Sequence, residues 1–171
     1  EKVVVATKFF PFPWRLRRGD LVRALRRSLK RLGLPQVDLY QTHWPSPPVP
    51  VETWMEAMAD AVGDGLTRSV GVSNYSADQM KRSHDTLARR GIPLASNQVE
   101  YSLLNRLPER NGVLATCREL GATLIAYSPI AKGILSGKYT LGNPPPGLRA
   151  MSYSRESLAR VQPLIGLAKE N

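Results

Sequence analysis

The chain has 171 residues and a net charge of +10, from 24 Lys and Arg against 14 Asp and Glu. Hydrophobic residues make up 42% and charged residues 22%. That balance supports a buried core without disulfides or a structural metal, and it excludes a disordered, collagen-like or coiled-coil chain. No run reaches the roughly 18 apolar residues that a membrane-spanning helix needs, so no membrane partner is expected. The single cysteine, Cys117, cannot close an internal disulfide, and only His43 and His84 are available as imidazole ligands, so no metal site is expected.

The charge is uneven. Residues 1–31 hold ten Lys and Arg against only Glu1 and Asp20. Such a patch can bind phosphates or nucleic acid. Leu21, Leu25, Leu29 and Leu32 recur at helical spacing within it, however, and the basic residues fall between them. The expected reading is the solvated face of an amphipathic helix, with no nucleic-acid partner. The chain starts at Glu1 without an initiator Met and ends within a helical pattern. We therefore expect a piece of a longer polypeptide.

In chain order, a predicted strand over Val3–Thr7 is followed by a helix over Asp20–Leu32, a strand over Val37–Gln41 and a helix over Val51–Val62. Then come a strand over Ser69–Val72, a helix over Ser76–Arg89, a strand over Ala95–Val99, a helix over Pro108–Leu120 and a strand over Thr123–Ala126. Ser76 and Gln79 form a capping box at their helix start. Pro108 suits a first helical turn, where its missing N–H costs nothing. Gly33, Gly63, Gly91 and Gly121 each follow a helix, where a left-handed residue is wanted. Residues 143–147 read as an irregular loop. Ser154–Asn171 reads as a further helix interrupted by Pro163.

Alternating β and α segments of this length imply parallel strands joined by crossover helices. No Gly-x-Gly-x-x-Gly turn follows a strand, so the doubly wound dinucleotide fold lacks its signature. Five strands are too few to close an eight-stranded barrel. If the fold is such a barrel, about three strands lie outside this chain. The polar segments after the strands then gather at the carboxyl ends, where barrel enzymes place their sites.

Five of these segments carry a family resemblance. They are Ala6-Thr7-Lys8, Val37-Asp38-Leu39-Tyr40-Gln41-Thr42-His43-Trp44-Pro45, Val70-Gly71-Val72-Ser73-Asn74-Tyr75, Ser96-Asn97-Gln98-Val99-Glu100-Tyr101 and Ala126-Tyr127-Ser128-Pro129-Ile130-Ala131-Lys132-Gly133. In type, order and spacing the chain resembles the aldo-keto reductase superfamily, in the plant and bacterial branch near potassium-channel β subunits, and plant plastid members in particular. The resemblance implies an α/β TIM-type (β/α)8 barrel, with residues 1–171 forming one partial domain of about its third to seventh strands. It implies NADP(H) as cofactor, reduction of a small-molecule aldehyde or ketone by hydride transfer, and a cytoplasmic or plastid location. It says nothing of the oligomeric state.

The family uses an Asp, Tyr, Lys, His tetrad. By resemblance Lys8 is the lysine that lowers the pKa of the acidic tyrosine, and His43 is the histidine that orients the carbonyl. The Asp and Tyr have no match in this sequence. Ser73, Asn74 and Gln98 match residues that bond the nicotinamide carboxamide, and Tyr127 matches the aromatic that stacks on the ring. Ser128, Pro129, Ile130, Ala131 and Gly133 match the loop along the pyrophosphate. Lys138 and Arg149 are further candidates toward the phosphates or ribose. The 2′-phosphate site has no match here, so NADPH rather than NADH rests on resemblance alone. Phe9, Phe10, Trp14 and Trp44 could line an apolar substrate pocket. Cys117 is expected to be a small buried hydrophobe, His84 a surface residue, and Glu100 a residue that fixes a loop. Two other functions stay open: a cofactor-sensing regulatory subunit like the channel relatives, or an inactive truncated product.

Overall fold

The computed structural model describes residues 3–147, 150 and 154–170. Strands β1 (Ala6–Phe9), β2 (Val37–Thr42), β3 (Thr67–Ser73), β4 (Leu94–Glu100) and β5 (Thr123–Tyr127) form one sheet in the order β1-β2-β3-β4-β5. The β1–β2, β2–β3 and β3–β4 pairs are all parallel. Helices α1 (Arg18–Leu32), α2 (Val51–Gly63) and α3 (Ala77–Ala88) alternate with the strands, as the periodicity predicts. The chain divides into two compact units, one of residues 1–99 and 108–125, the other of residues 100–107 and 126–171.

In the first unit, α1 buries Leu21, Leu25 and Leu29 along one stripe. Asp20 accepts from the backbone N–H of Arg17 at its start, and Gly33 ends it at φ 66° with its N–H on the Leu29 carbonyl. Helix α2 is apolar nearly all round, burying Trp54, Met55, Ala57, Met58 and Ala61. That is expected of a helix flanked by two others. Arg18 and Arg26 of α1 reach across to Asp60 of α2 and to Asp64 just beyond its end, and Arg82 of α3 binds Glu52 of α2 through two hydrogen bonds of 2.8 and 2.9 Å. So part of the basic face predicted for α1 is paired with its neighbour rather than solvated. The core runs from Phe9, packed on Trp54 at 4.9 Å, through Tyr40, Val70, Val72 and Leu94 to Cys117, which is buried as expected.

The second unit has its own small core of Ile134, Tyr139, Leu158 and Val161. It contains a 3₁₀ turn (Ala131–Ser136) and the last helix.

Four local expectations are corrected. Strand β1 starts at Ala6, not Val3. Val5 is tied to β2 through Asp38, but Val3 and Val4 are exposed, and apolar residues form a strand only where a ladder partner faces them. The helix expected over Pro108–Leu120 is two, α4 (Leu107–Arg110) and α5 (Val113–Glu119). Between them the Asn111 side chain accepts from the Val113 N–H and Gly112 sits at φ 82°. Gly63 ends α2 as its last residue, and the left-handed position falls to Gly65, at φ 68°. Pro163 lies inside α6 (Arg155–Glu170) without ending it. Ser154 caps that helix through the Ser157 N–H, and Leu158, Val161 and Ile165 pack against the small core. Packing of an apolar face offsets the roughly 3 kcal/mol a mid-helix proline costs.

Candidate active site

The site follows from strand register. Lys8 pairs with Gln41, Gln41 with Gly71, and Gly71 with Ser96. Because side chains alternate along each strand, these four residues share one face of the sheet. Phe9, Tyr40, Thr42, Val70 and Val72 face the helices instead and are buried. The row is closed by a hydrogen bond from Gln41 Nε2 to Ser96 Oγ (3.2 Å), which passes over Gly71. An irregularity between Val70 and Gly71 keeps Ser96 and Gln98 on this face.

One step nearer the carboxyl ends lies a second layer. His43 follows β2, with its N–H on the Phe9 carbonyl at 2.9 Å. Ser73 is paired with Gln98. Ser73 Oγ donates to the Gln98 carbonyl (2.8 Å) and accepts from Asn74 Nδ2 (3.1 Å). Asn74 Nδ2 also donates to the His43 carbonyl (3.2 Å), which ties the β2 and β3 ends together. Asn74 takes a left-handed φ of 62°, and its N–H is held by the Gln98 carbonyl at 3.0 Å. Among the described residues the Gln98 side-chain amide has no hydrogen-bond partner. Thus Lys8, His43, Ser73, Asn74 and Gln98 come together as expected.

Lys8 is half-buried and, among the described residues, has no carboxylate partner. His43 is half-buried, edge-on to Phe10 at 5.3 Å and stacked on Trp44 at 6.0 Å. Burial, and then the charge of Lys8, push its pKa below the usual imidazole value, so at neutral pH it is an uncharged donor. A base whose folded pKa is depressed contributes its full stability above the unfolded value of about 6.5 and loses it as pH falls through the folded value. NMR titration is expected to give His43 a midpoint below 6.5; a midpoint above it contradicts the placement.

The second unit carries the other expected residues. Tyr127 ends β5, its carbonyl accepting from the Tyr101 N–H at 3.3 Å, and burial followed by the Glu100 charge raises its phenol pKa. Ser128, Ala131 and Lys132 take left-handed φ of 54°, 48° and 55°, and Gly133 one of 103°. For the three non-glycine residues such conformations cost roughly 1–3 kcal/mol each, and they concentrate at functional segments. Pro129 and Ile130 are exposed between them. Lys138 is exposed, with its ammonium 5.7 Å from the Tyr139 ring centre. Arg149 lies outside the described residues. His84 is on the surface beside Asp85, as expected.

One expectation shifts. Phe9 is core, against Trp54, and does not line a pocket; Phe10, Trp14 and Trp44 are exposed. The sequence alone does not mark Gln41, Gly71 and Ser96 as part of this row; a buried glutamine inside an apolar strand is the available signal.

A model of the aldo/keto reductase family matches residues 1–170. The chain is 41% identical over 167 residues to the chloroplastic pyridoxal reductase of Arabidopsis thaliana, covering 96% of this chain and 46% of that protein. It is 39% identical over 127 residues to the L-glyceraldehyde 3-phosphate reductase of Escherichia coli K12, covering 74% and 37%. It is 36% identical over 147 residues to the aldo-keto reductase YhdN of Bacillus subtilis, covering 82% and 42%. The chain thus spans less than half the length of each of these three relatives. Among solved structures, the thermostable aldo-keto reductase Tm1743, with the inhibitor epalrestat, superposes with a TM-score of 0.67 at 32% identity, covering 93% of this chain and 70% of that one. Both a parallel β/α sheet consistent with part of a TIM barrel and this match point the same way: the chain belongs to the aldo/keto reductase family.

Proposed function

We propose that the protein is an NADPH-dependent reductase of aldehydes and ketones, and that this chain supplies its carbonyl-orienting and carboxamide-binding residues. The observation that carries the reading is the two-layer arrangement of Lys8 and His43 beside Ser73, Asn74 and Gln98 at the carboxyl ends of β1 to β4. When bound, the nicotinamide supplies the hydride.

The donor set fits that group. Ser73 Oγ already donates to Gln98 and accepts from Asn74, so its remaining lone pair accepts. The Gln98 amide, with no partner among the described residues, both donates and accepts. A carboxamide needs both. In the second unit, the left-handed residues Ser128, Ala131, Lys132 and Gly133 turn the backbone in the way that suits an anion, and Lys138 adds a cation.

His43, neutral at pH 7, donates to the substrate oxygen and fixes its direction. Lys8 holds a positive charge beside that oxygen, which stabilises the developing negative charge and lowers the pKa of the acid that protonates it. By resemblance that acid is a tyrosine, which has no match in this sequence. A relative named chloroplastic supports a plastid location.

The test is spectrophotometric. The native protein is expected to consume NADPH with 4-nitrobenzaldehyde and to prefer NADPH to NADH. NADPH binding without turnover would favour a cofactor-sensing role instead.

A further inference from the structure

One constellation lies apart from the residues assigned to carbonyl reduction. A cavity of about 220 Å³ lies between the β1–α1 connection and the first turns of α1, lined by Trp14, Arg15, Asp20, Arg23, Ala24 and Arg27. Three of the six lining residues are arginines.

The arginines of this region divide by partner. Arg18 and Arg26 are neutralised across the helix interface by Asp60 and Asp64. The pocket arginines have only Asp20, and its two oxygens are taken, one by the Arg17 N–H and one by Arg23. Arg27 has no hydrogen-bond or ion-pair partner among the described residues. It stands one turn from Arg23, where like charges repel along a helix. Arg15 is held in place by the Phe10 carbonyl at 2.9 Å and by the Phe9 and Phe12 rings at 5.6 and 4.8 Å. An anchored guanidinium, an unpartnered one and a surplus of positive charge around one cavity form a site for an anion.

The cavity is also joined to His43. Phe10 meets the His43 ring at 5.3 Å, Phe12 meets Phe10 at 4.7 Å, and Trp14 lies parallel to Phe12 at 4.8 Å. These rings make an unbroken aromatic wall from the carbonyl-orienting imidazole to the arginines. Phe10 and Trp14 are both exposed along it.

We propose that this pocket recognises a phosphate group at the far end of the carbonyl substrate, whose apolar part lies along the Phe10–Phe12–Trp14 wall. Arg15, Arg23 and Arg27 hold the phosphate. The substrate class is therefore a phosphorylated aldehyde or ketone, an assignment that rests on the reading of His43 as the carbonyl-orienting residue.

Two measurements on the native protein test it. The first is binding of phenyl phosphate, followed by thermal shift at constant ionic strength. Phenyl phosphate is expected to stabilise the protein, inorganic phosphate to do so more weakly, and phenol not at all. Arg27→Gln is expected to weaken phenyl phosphate binding about tenfold, while Lys30→Gln, on the exposed part of α1 outside the pocket, leaves it unchanged. Equal losses in the two variants, no loss in either, or inorganic phosphate binding as well as phenyl phosphate would overturn the proposal.

The second is the ratio of kcat/KM for 4-formylphenyl phosphate to that for 4-methoxybenzaldehyde. Arg27→Gln is expected to lower this ratio about tenfold and Lys30→Gln not to change it; an unchanged ratio in Arg27→Gln overturns the substrate assignment. If the wild-type protein reduces neither aldehyde, the reductase reading itself fails, and the phenyl phosphate titration alone decides whether the pocket binds phosphate.

Discussion

In the native protein, Lys8→Met is expected to lower kcat for NADPH-dependent reduction of 4-nitrobenzaldehyde by about two to four orders of magnitude, with the fold retained. The size follows from what is removed. A positioned charge beside the reacting oxygen, together with the proton transfer it assists, accounts for about 10²- to 10⁴-fold in rate. The retained fold follows from the surroundings. Lys8 is half-buried and makes no ion pair among the described residues, so methionine of similar length leaves no partner stranded. Lys8→Arg is not expected to rescue, because a planar guanidinium places its charge elsewhere. Lys8→Met also removes the charge that helps depress His43, so in that variant the His43 midpoint is expected to rise toward the ordinary imidazole value. Circular dichroism checks the fold, steady-state kinetics the rate and NMR the imidazole. A kcat within tenfold of wild type would remove Lys8 from the chemistry.

Gly71→Ala is expected to destabilise the protein by about 2–3 kcal/mol, which is large against the 5–15 kcal/mol that holds a typical domain together. A Cβ on Gly71 would lie 2.3 Å from Ser96 Oγ, 2.9 Å from the Ser96 carbonyl and 3.4 Å from Gln41 Cγ. The hydroxyl can rotate away, at the cost of the bond from Gln41. The carbonyl belongs to β4 and can retreat only if the strand does. Adding Ser96→Ala removes the first clash but not the second, so the double variant is expected to recover about 1 kcal/mol of the loss. Urea unfolding with unchanged slopes is the appropriate measurement. A single variant within about 0.5 kcal/mol of wild type would contradict the crowding across the row. The effect extends to the site, because Gln98 lies two residues beyond Ser96 on the same strand.

The sequence carries the order of elements clearly, since a buried parallel strand is a short apolar run and an amphipathic helix repeats every three to four residues. It carries element ends less well. Val3 and Val4 look like strand, but their fate depends on whether a neighbour supplies a ladder, a non-local fact. Pro163 looks like a break, but buried Leu158 and Val161 hold the helix through it. The candidate site is legible where its residues lie at or near the carboxyl end of a strand, as for Lys8, Ser73 and Gln98. It is not legible at Gln41, Gly71 and Ser96. Their roles arise from register across three strands, and no single segment encodes that. The α1 arginines divide for the same reason. Helical spacing shows that they are outward, but only packing shows that Arg18 and Arg26 meet carboxylates while Arg27 meets none.

In the proposed reductase, Ser73, Asn74 and Gln98 grip a nicotinamide carboxamide. The most direct measurement of that grip is an NADP⁺ titration of the native protein followed at the side-chain amide resonances of Asn74 and Gln98. Both are expected to move in proportion to saturation, and Gln98→Ala is expected to weaken binding. Saturable NADP⁺ binding that leaves both amide groups unshifted would place the cofactor elsewhere and contradict it.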